Sequence, residues 1–422
     1  MDKRIVITGL GVVSPNGVGL DNFTNAVKNG TSGIEYHETL KELGFSCCIG
    51  GIPNVSEELK RNYFTELQLK NFNSSGILYG CMAGMDAWKD AGLSITDNTD
   101  FESGTIFGAG TSGVEKFREA IYKLDDKKVR RLGSTVVAQT MASGVSAYLG
   151  GILGLGNQVT TNSSACTTGT EAILMGFDRI KAGLAKRMIV GSTSDHGPYL
   201  WGGFDALRVL TYKHNESPET GSRPMSASAS GFVPGSGAGA MVIESLESAL
   251  KRNATIYAEI LGGEVNSGGQ RNEGSMTAPN SEAVQRCIKN AVANSNIEAK
   301  DIDAINGHLT ATSKDFTEIE NWSKALNLKG NDFPYINSLK SMVGHCLSAS
   351  GAIESVASVL QIHHSFIFPN INCEDVNEQI AYLISEDRIP RDLIEKEVNI
   401  VAKSSFGFGD VNGCLIFKKF QQ

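Results

Sequence analysis

A mixed α/β fold with buried strands is the architecture predicted by this 422-residue sequence, on three observations. Short apolar runs with the length of strands alternate with longer stretches whose apolar residues recur at helical spacing. Glycine is abundant at 47 residues, well above the roughly 7% of average usage, and it follows no collagen-like period. It therefore marks tight turns and close backbone approaches. The same order of strand, polar turn, small-residue helix start and apolar helix occurs in TTNSSACTTGTEAILMGFDRI (160–180) and YINSLKSMVGHCLSASGAIESVASVLQI (335–362). This loose repeat predicts two related halves, residues 1–255 and 256–422.

In chain order, RIVITGLGVV (4–13) reads as the first strand, and GTIFGAG (104–110), QVTTNSSA (158–165) and RMIVGS (187–192) as further central strands. Residues 75–93 have helical spacing and a glycine stop at Gly92, which predicts a helix. Residues 165–185 predict another, whose small first residues point to a tightly packed, buried start. The Gly/Ser/Pro/Ala-rich stretch 217–240 reads as loops around one strand, followed over 240–263 by strand, short helix and strand.

Composition excludes several classes. With 41% hydrophobic and 20% charged residues the chain is not disordered. A net charge of -8 speaks against a general nucleic-acid binder. The eight cysteines, at 47, 48, 81, 166, 287, 346, 373 and 414, are too sparse for a disulfide scaffold, and no CxxC pair points to structural zinc. The N-terminal apolar run is broken by Gly9, Gly11 and Pro15, which does not suit a secretory signal. No stretch reaches the ~18 uninterrupted apolar residues of a membrane helix. A soluble, cytoplasmic protein is expected.

Three residues stand out as chemistry. Cys166 follows a predicted strand and precedes a predicted helix, where free N–H groups and the helix dipole lower a thiol pKa toward neutrality. Its small neighbours Ser163, Ser164, Ala165 and Gly169 allow the sharp turn of a nucleophile elbow. A buried, inert cysteine is the competing interpretation. His308 lies where an apolar strand runs into a Thr/Ser-rich loop, and His345 lies at a second strand-to-helix turn. Each alone reads as a core histidine; with a strand-end cysteine they offer a thiolate, a base or donor, and a second donor. Lys340, five residues before His345, brings a charge to the same turn. His363 and His364 end a helix and are read as structural. SSFGFGDVNGC (404–414) alternates phenylalanine with glycine, so it can supply an N–H to an oxyanion and swing an aromatic gate.

These motifs, with GGFDALRVL (202–210) and NGHLTAT around His308, resemble in identity and order the elongating β-ketoacyl-acyl-carrier-protein synthases, the Cys-His-His condensing enzymes of the thiolase superfamily. The resemblance runs over nearly the whole chain. It implies a thiolase-like five-layered α/β/α/β/α body of two duplicated halves, the first carrying the nucleophile and the second carrying both histidines and the gating loop. By the same resemblance, Cys166 takes an acyl chain as a thioester, with the N–H groups of Cys166 and Phe408 as oxyanion hole. His308 and His345 promote decarboxylation of a malonyl thioester, and the carbanion attacks the acyl-enzyme. Lys340 and Glu354 organise the local charge, Phe204 and Phe408 gate the site, Thr310 and Thr312 line the pantetheine path, and Asp315 supports that loop. No metal or organic cofactor is implied, because the phosphopantetheine arm arrives on acyl carrier protein.

The carrier is acidic in this family, so the basic stretch 116–133 becomes a docking candidate, with Arg130, Arg131 and Arg208 at carrier-contacting positions and Lys70 as a fourth. A homodimer is implied, or a heterodimer with a ketosynthase-like partner. The departures from the family pattern are Leu309 in place of glycine, Asp410 and Val411 in place of a Gly-Thr pair, and Ala229-Ser230-Gly231-Phe232-Val233 in place of Arg-Asp-Gly-Phe-Val. They point to a specialised polyene or polyketide synthase. The alternatives are a chain-length-factor-like partner subunit, which normally lacks the nucleophile, and a thiolase acting on coenzyme A esters, which needs a second cysteine where FGFGD stands.

Overall fold

A computed structural model describes residues 3–421. Ten strands form one continuous mixed sheet: β1 (Ile5–Ser14), β2 (Ser103–Ala109), β3 (Val159–Thr160), β4 (Arg187–Ser194), β5 (Gly237–Ser245), β6 (Ala258–Ser267), β7 (Ala304–Asn306), β8 (Tyr335–Asn337), β9 (Ile400–Gly407) and β10 (Val411–Lys418). A two-residue strand, Gly17–Val18, pairs back on β1. The spatial order β8-β7-β9-β10-β6-β1-β5-β4-β2-β3 divides into two runs of five with one topology. In each run the first strand lies innermost and pairs with the fifth, followed by the fourth, second and third. The second strand is parallel to both its neighbours, and the other pairings are antiparallel. The runs join where β1 meets β6, with Ile5 opposite Ile260 and Ile7 opposite Ala258.

Five helices complete the layers: α1 (Ser75–Asp90), α2 (Thr168–Lys181), α3 (Ser281–Asn294), α4 (Asp315–Leu326) and α5 (Ser350–His364). α1 packs on β1, β4 and β5, and α3 packs on β6 and β10 with α4 beside it. α2 and α5 touch each other and strands of both runs, so they form the middle layer of α/β/α/β/α. α5 is buried on every face from Ser350 to Ile362, and its polar members are partnered inside, as Glu354 is by two lysines. The two helices cross at their first turns through glycine. A Cβ on Gly169 would lie 2.4 Å from the Ala352 nitrogen, and one on Gly351 2.7 Å from the Thr170 nitrogen.

The predicted strand over 158–165 is reduced to Val159–Thr160. Side chains take over where the ladder stops: Asn162 Nδ2 donates to the Thr168 carbonyl, and the Ser164 N–H donates to the Thr168 hydroxyl. The predicted helix over 165–185 opens with a 3-10 turn (Ala165–Thr167) before α2. The same device recurs in the second half, where a 3-10 turn (Leu347–Ala349) leads into α5. Ala165 and Leu347, each four residues before the crossing glycine, both adopt φ 51°. The repeat thus extends from strand order down to backbone dihedrals, and Ser348 is the counterpart of Cys166.

Candidate active site

The turn before α2 presents Cys166. The left-handed conformation of Ala165 costs a non-glycine residue about 1–3 kcal/mol, a strain found where surrounding structure demands a sharp turn. The Thr168 hydroxyl holds that turn by donating to the Ala165 carbonyl at 2.6 Å. Of the eight cysteines seven are buried, while Cys166 is partly exposed. Its sulfur receives the backbone N–H groups of Cys166 itself and of Phe408, at the tip of the β9–β10 hairpin.

His345 Nε2 lies 3.1 Å from the Cys166 sulfur. The tautomer follows from the other nitrogen. The Leu347 N–H, which can only donate, points at Nδ1 at 3.3 Å, and the Ser350 hydroxyl lies 2.9 Å from the same atom. Nδ1 is therefore the acceptor and Nε2 carries the hydrogen that faces sulfur. His308 packs edge-on to His345, with ring centroids 5.3 Å apart. Ligand-type atoms of Cys166, His308 and His345 lie within 4.8 Å of one another, the one such trio among the described residues. As a metal cage the trio fits poorly, because His345 turns a hydrogen rather than a lone pair to its centre.

Burial, Lys340, the neighbouring imidazole and Lys403 hold His308 well below its ordinary pKa; burial, Lys340 and Lys403 do the same for His345. Both rings are neutral at pH 7. Burial also pushes the Cys166 thiol up, to about 11, against the downward pull of Lys340 and the Phe408 N–H. The lowered thiol pKa expected from the helix start is not found. Desolvation of the sulfur outweighs the dipole of a turn that is 3-10 before it is α.

A charged group lies buried beneath the histidines. Lys340 pairs with one oxygen of Glu354, and Lys403, fully buried in β9, pairs with the other at 2.8 Å. Glu318 on α4 accepts the backbone N–H groups of His308 and Leu309, both at 2.7 Å. Burial raises its pKa to about 7. Asp315, one turn earlier, accepts from the N–H groups of Thr310, Ala311 and Met225. It thereby shapes the loop on which the Thr310 and Thr312 hydroxyls lie 3.1 Å apart. Leu309, which stands where the resemblance leads one to expect glycine, turns its side chain into the apolar core.

A cavity of about 270 Å³ opens over this group, lined by Cys166, both histidines, Thr310, Thr312 and Phe408. Phe204 and Phe408 face each other across it, centroids 6.1 Å apart, and Phe232 bridges from Phe204 to His345. Two contributors escaped the sequence reading, Lys403 and Glu318. A lysine inside the apolar run of a central strand, and a glutamate one helical turn after Asp315, are the signals that would have found them.

The surface candidates do not join this cluster. Arg130 and Arg131 stand on an exposed 3-10 turn (Val129–Arg131), and Lys70 is exposed at the end of a short helix. Arg208 is exposed next to the cavity-lining Val209. The basic stretch 116–133 is partly neutralised from within: Lys116 is buried on Glu119, Lys123 shares that carboxylate, and Lys128 pairs with Asp126.

A five-layered duplicated body with Cys166 and His345 at its two central helix starts, and His308 beside them from the β7–α4 loop, defines a condensing acyltransferase. The chain belongs to the β-ketoacyl synthase family, for residues 2–249 match the model of the β-ketoacyl synthase N-terminal domain and residues 257–374 that of the C-terminal domain. It is 33% identical over 424 residues to the 3-oxoacyl-[acyl-carrier-protein] synthase 1 of Escherichia coli K12, covering 99% of this chain and all of that one. Among solved structures it resembles the ishigamide ketosynthase/chain length factor (TM-score 0.88, 26% identity). It resembles equally a type II polyketide ketosynthase in complex with its acyl carrier protein (TM-score 0.88, 26% identity); each match covers both chains in full. Among the described residues no helix is long and apolar enough to cross a membrane.

Proposed function

We propose that this protein catalyses decarboxylative Claisen condensation of malonyl-acyl-carrier-protein with an acyl chain held on Cys166, giving a β-ketoacyl thioester two carbons longer. The observation that carries this reading is the 3.1 Å approach of His345 Nε2–H to the Cys166 sulfur, under two converging backbone N–H groups. In the first half-reaction the Cys166 thiol attacks the acyl thioester carbonyl, its oxyanion held by the Cys166 and Phe408 amides, and the pantetheine thiol leaves with the proton. In the second, malonyl thioester loses CO2 and its enolate oxygen accepts from the neutral rings of His308 and His345. The enolate carbon then attacks the acyl-Cys166 carbonyl and expels the cysteine. Donors aimed at such an oxyanion are worth about 3–4 kcal/mol each. Both half-reactions need only this chain's own groups, so no metal or organic cofactor enters.

The phosphopantetheine arm comes from acyl carrier protein, a reading supported by the similar type II polyketide ketosynthase solved in complex with its acyl carrier protein. Arg130, Arg131, Arg208 and Lys70 are its docking candidates, and ionic strength should weaken that contact. The halves 1–255 and 256–422 contribute the nucleophile and the histidines respectively, in a cytoplasmic dimer. An intact cysteine with both histidines around it favours the active synthase over the partner-subunit reading.

Intact-mass analysis after mixing with a panel of acyl carrier thioesters tests the proposal, with Cys166→Ala as control and malonyl carrier added second. One acyl increment that is absent from the variant, followed by a longer product, is the expected result. No uptake from any donor would make the chain a partner subunit, and uptake from coenzyme A esters alone would make it a thiolase-like enzyme.

A further inference from the structure

The β9–β10 hairpin tip is tied down by a side chain that neither half-reaction uses. Asp410 stands where the family's usual glycine stands, in a left-handed conformation (φ 62°) that glycine adopts without strain. The residue is 1% exposed, and its carboxylate takes two backbone N–H groups from across the hairpin, those of Gln270 at 3.0 Å and Asn280 at 2.8 Å. The space around it is made to measure. A Cβ on Gly268 would lie 2.1 Å from Oδ2, and one on Gly274 2.6 Å from it. Two main-chain bonds flank the carboxylate: Gly268 N–H donates to the Asp410 carbonyl at 3.0 Å, and Gly409 N–H donates to the Met276 carbonyl at 2.9 Å. Asn280 is also the N-cap of α3, accepting from the Glu282 and Ala283 N–H groups, so the tie reaches a helix rather than a free loop.

Both sides of the tie reach the cavity. Phe408 arrives from the hairpin tip, and Thr277 and Pro279 arrive from the 268–280 segment. Hydrogen bonds to a carboxylate are roughly twice as strong as neutral ones, so the carboxylate dominates the cross-connection.

We propose that Asp410 is a positioning residue that latches the Phe408 hairpin tip onto the 268–280 segment, so that the aromatic wall over Cys166 swings only when both carboxylate bonds break, which grades partners of the thiol by size. Its consequence for acyl transfer rests on the condensing reading above; the latch itself does not.

The test uses the full-length protein and its Asp410→Gly and Asp410→Asn variants. Glycine suits the dihedral, so Asp410→Gly removes the carboxylate without straining the turn, and asparagine keeps one acceptor oxygen. Two quantities are read: hydrogen exchange at the Gln270 and Asn280 amides, and the ratio of alkylation rates of Cys166 by a pyrene maleimide and by iodoacetamide. Asp410→Gly should speed exchange and raise the bulky-to-small ratio, each about tenfold, with Asp410→Asn between it and wild type. Equal exchange, an equal ratio, or an asparagine variant that behaves like glycine overturns the latch. A raised ratio in a protein that takes no acyl group from any carrier upholds the latch and removes the condensing reading instead.

Discussion

Two residues past His345, the Leu347 amide points at its Nδ1 from 3.3 Å, and this contact fixes the ring's proton on the side facing Cys166. Leu347 has its amide there because φ 51° turns the chain at the start of the 3-10 segment before α5. The second half of the duplication therefore uses its elbow to orient a donor, while the first half uses the equivalent elbow, at Ala165, to present the Cys166 thiol. An imidazole held this way donates to sulfur and to a developing oxyanion; it does not take the thiol's proton.

A thiol raised to about 11 beside neutral histidines predicts a particular pH profile. The charged form of Cys166 is the nucleophile, so iodoacetamide alkylation should rise about tenfold per pH unit from 7 and level only near 11. Both imidazoles titrate well below 6.5, so no step appears between pH 6 and 7. His345→Ala should slow alkylation about tenfold at fixed pH by removing a donor to the thiolate, and condensation by 10²–10³-fold. A plateau already present at pH 7 would mean a thiolate–imidazolium pair.

Lys403 should be as necessary to the fold as any core side chain. Removing its ammonium strips Glu354 Oε2 of its partner and leaves Lys340 as the carboxylate's remaining counter-charge, so the cost is that of a lost hydrogen bond to a charged group, about 1–3 kcal/mol. Lys403→Met is expected to lose that much in chemical denaturation. Adding Glu354→Gln should deepen the loss, because Lys340 is then buried without its carboxylate, and stripping a buried charge of its partner costs about 3–5 kcal/mol. A loss under 1 kcal/mol would contradict the paired arrangement.

Glu318 makes stability fall as pH rises. Its folded value, about 7, lies above the ordinary 4.5. Between these the folded chain keeps a proton that the unfolded chain has released, so stability declines from about pH 4.5 to about pH 7 and the whole cost stands above. At 1.36 kcal/mol per unit the span is about 3 kcal/mol. Glutamine cannot ionise, so the unfolding free energy of Glu318→Gln, relative to wild type, should grow by that amount between pH 4.5 and 7.5. A pH-independent difference would show that the two backbone N–H groups, not burial, set this carboxylate.

Much of the molecule was legible before any coordinates. Helix α1 runs Ser75–Asp90 where spacing and Gly92 predict it, and the 160–180 and 335–362 pieces form matching turns at the two ends of one duplication. Cys166, His308 and His345 stood out because each lies in a turn of small and polar residues between a strand and a helix, a local pattern. The 158–165 strand was over-read because the side-chain bonds of Asn162 and Thr168 that cut it short run into the following helix.

By itself the sequence determined the fold class and the family, and it singled out three candidate residues, since periodicity, turn residues and motif order are properties of neighbours along the chain. Only the tertiary structure decided the protonation of those residues and the parts that hold them. Lys403, Glu318, Leu347 and Asp410 act on atoms 9 to 140 positions away in some cases, as between Glu318 and Leu309 or Asp410 and Gln270, or through a backbone amide rather than a side chain. Desolvation, which lifts the Cys166 thiol against its helix, depends on what covers an atom from every side, and that exists only once the two halves have closed on each other.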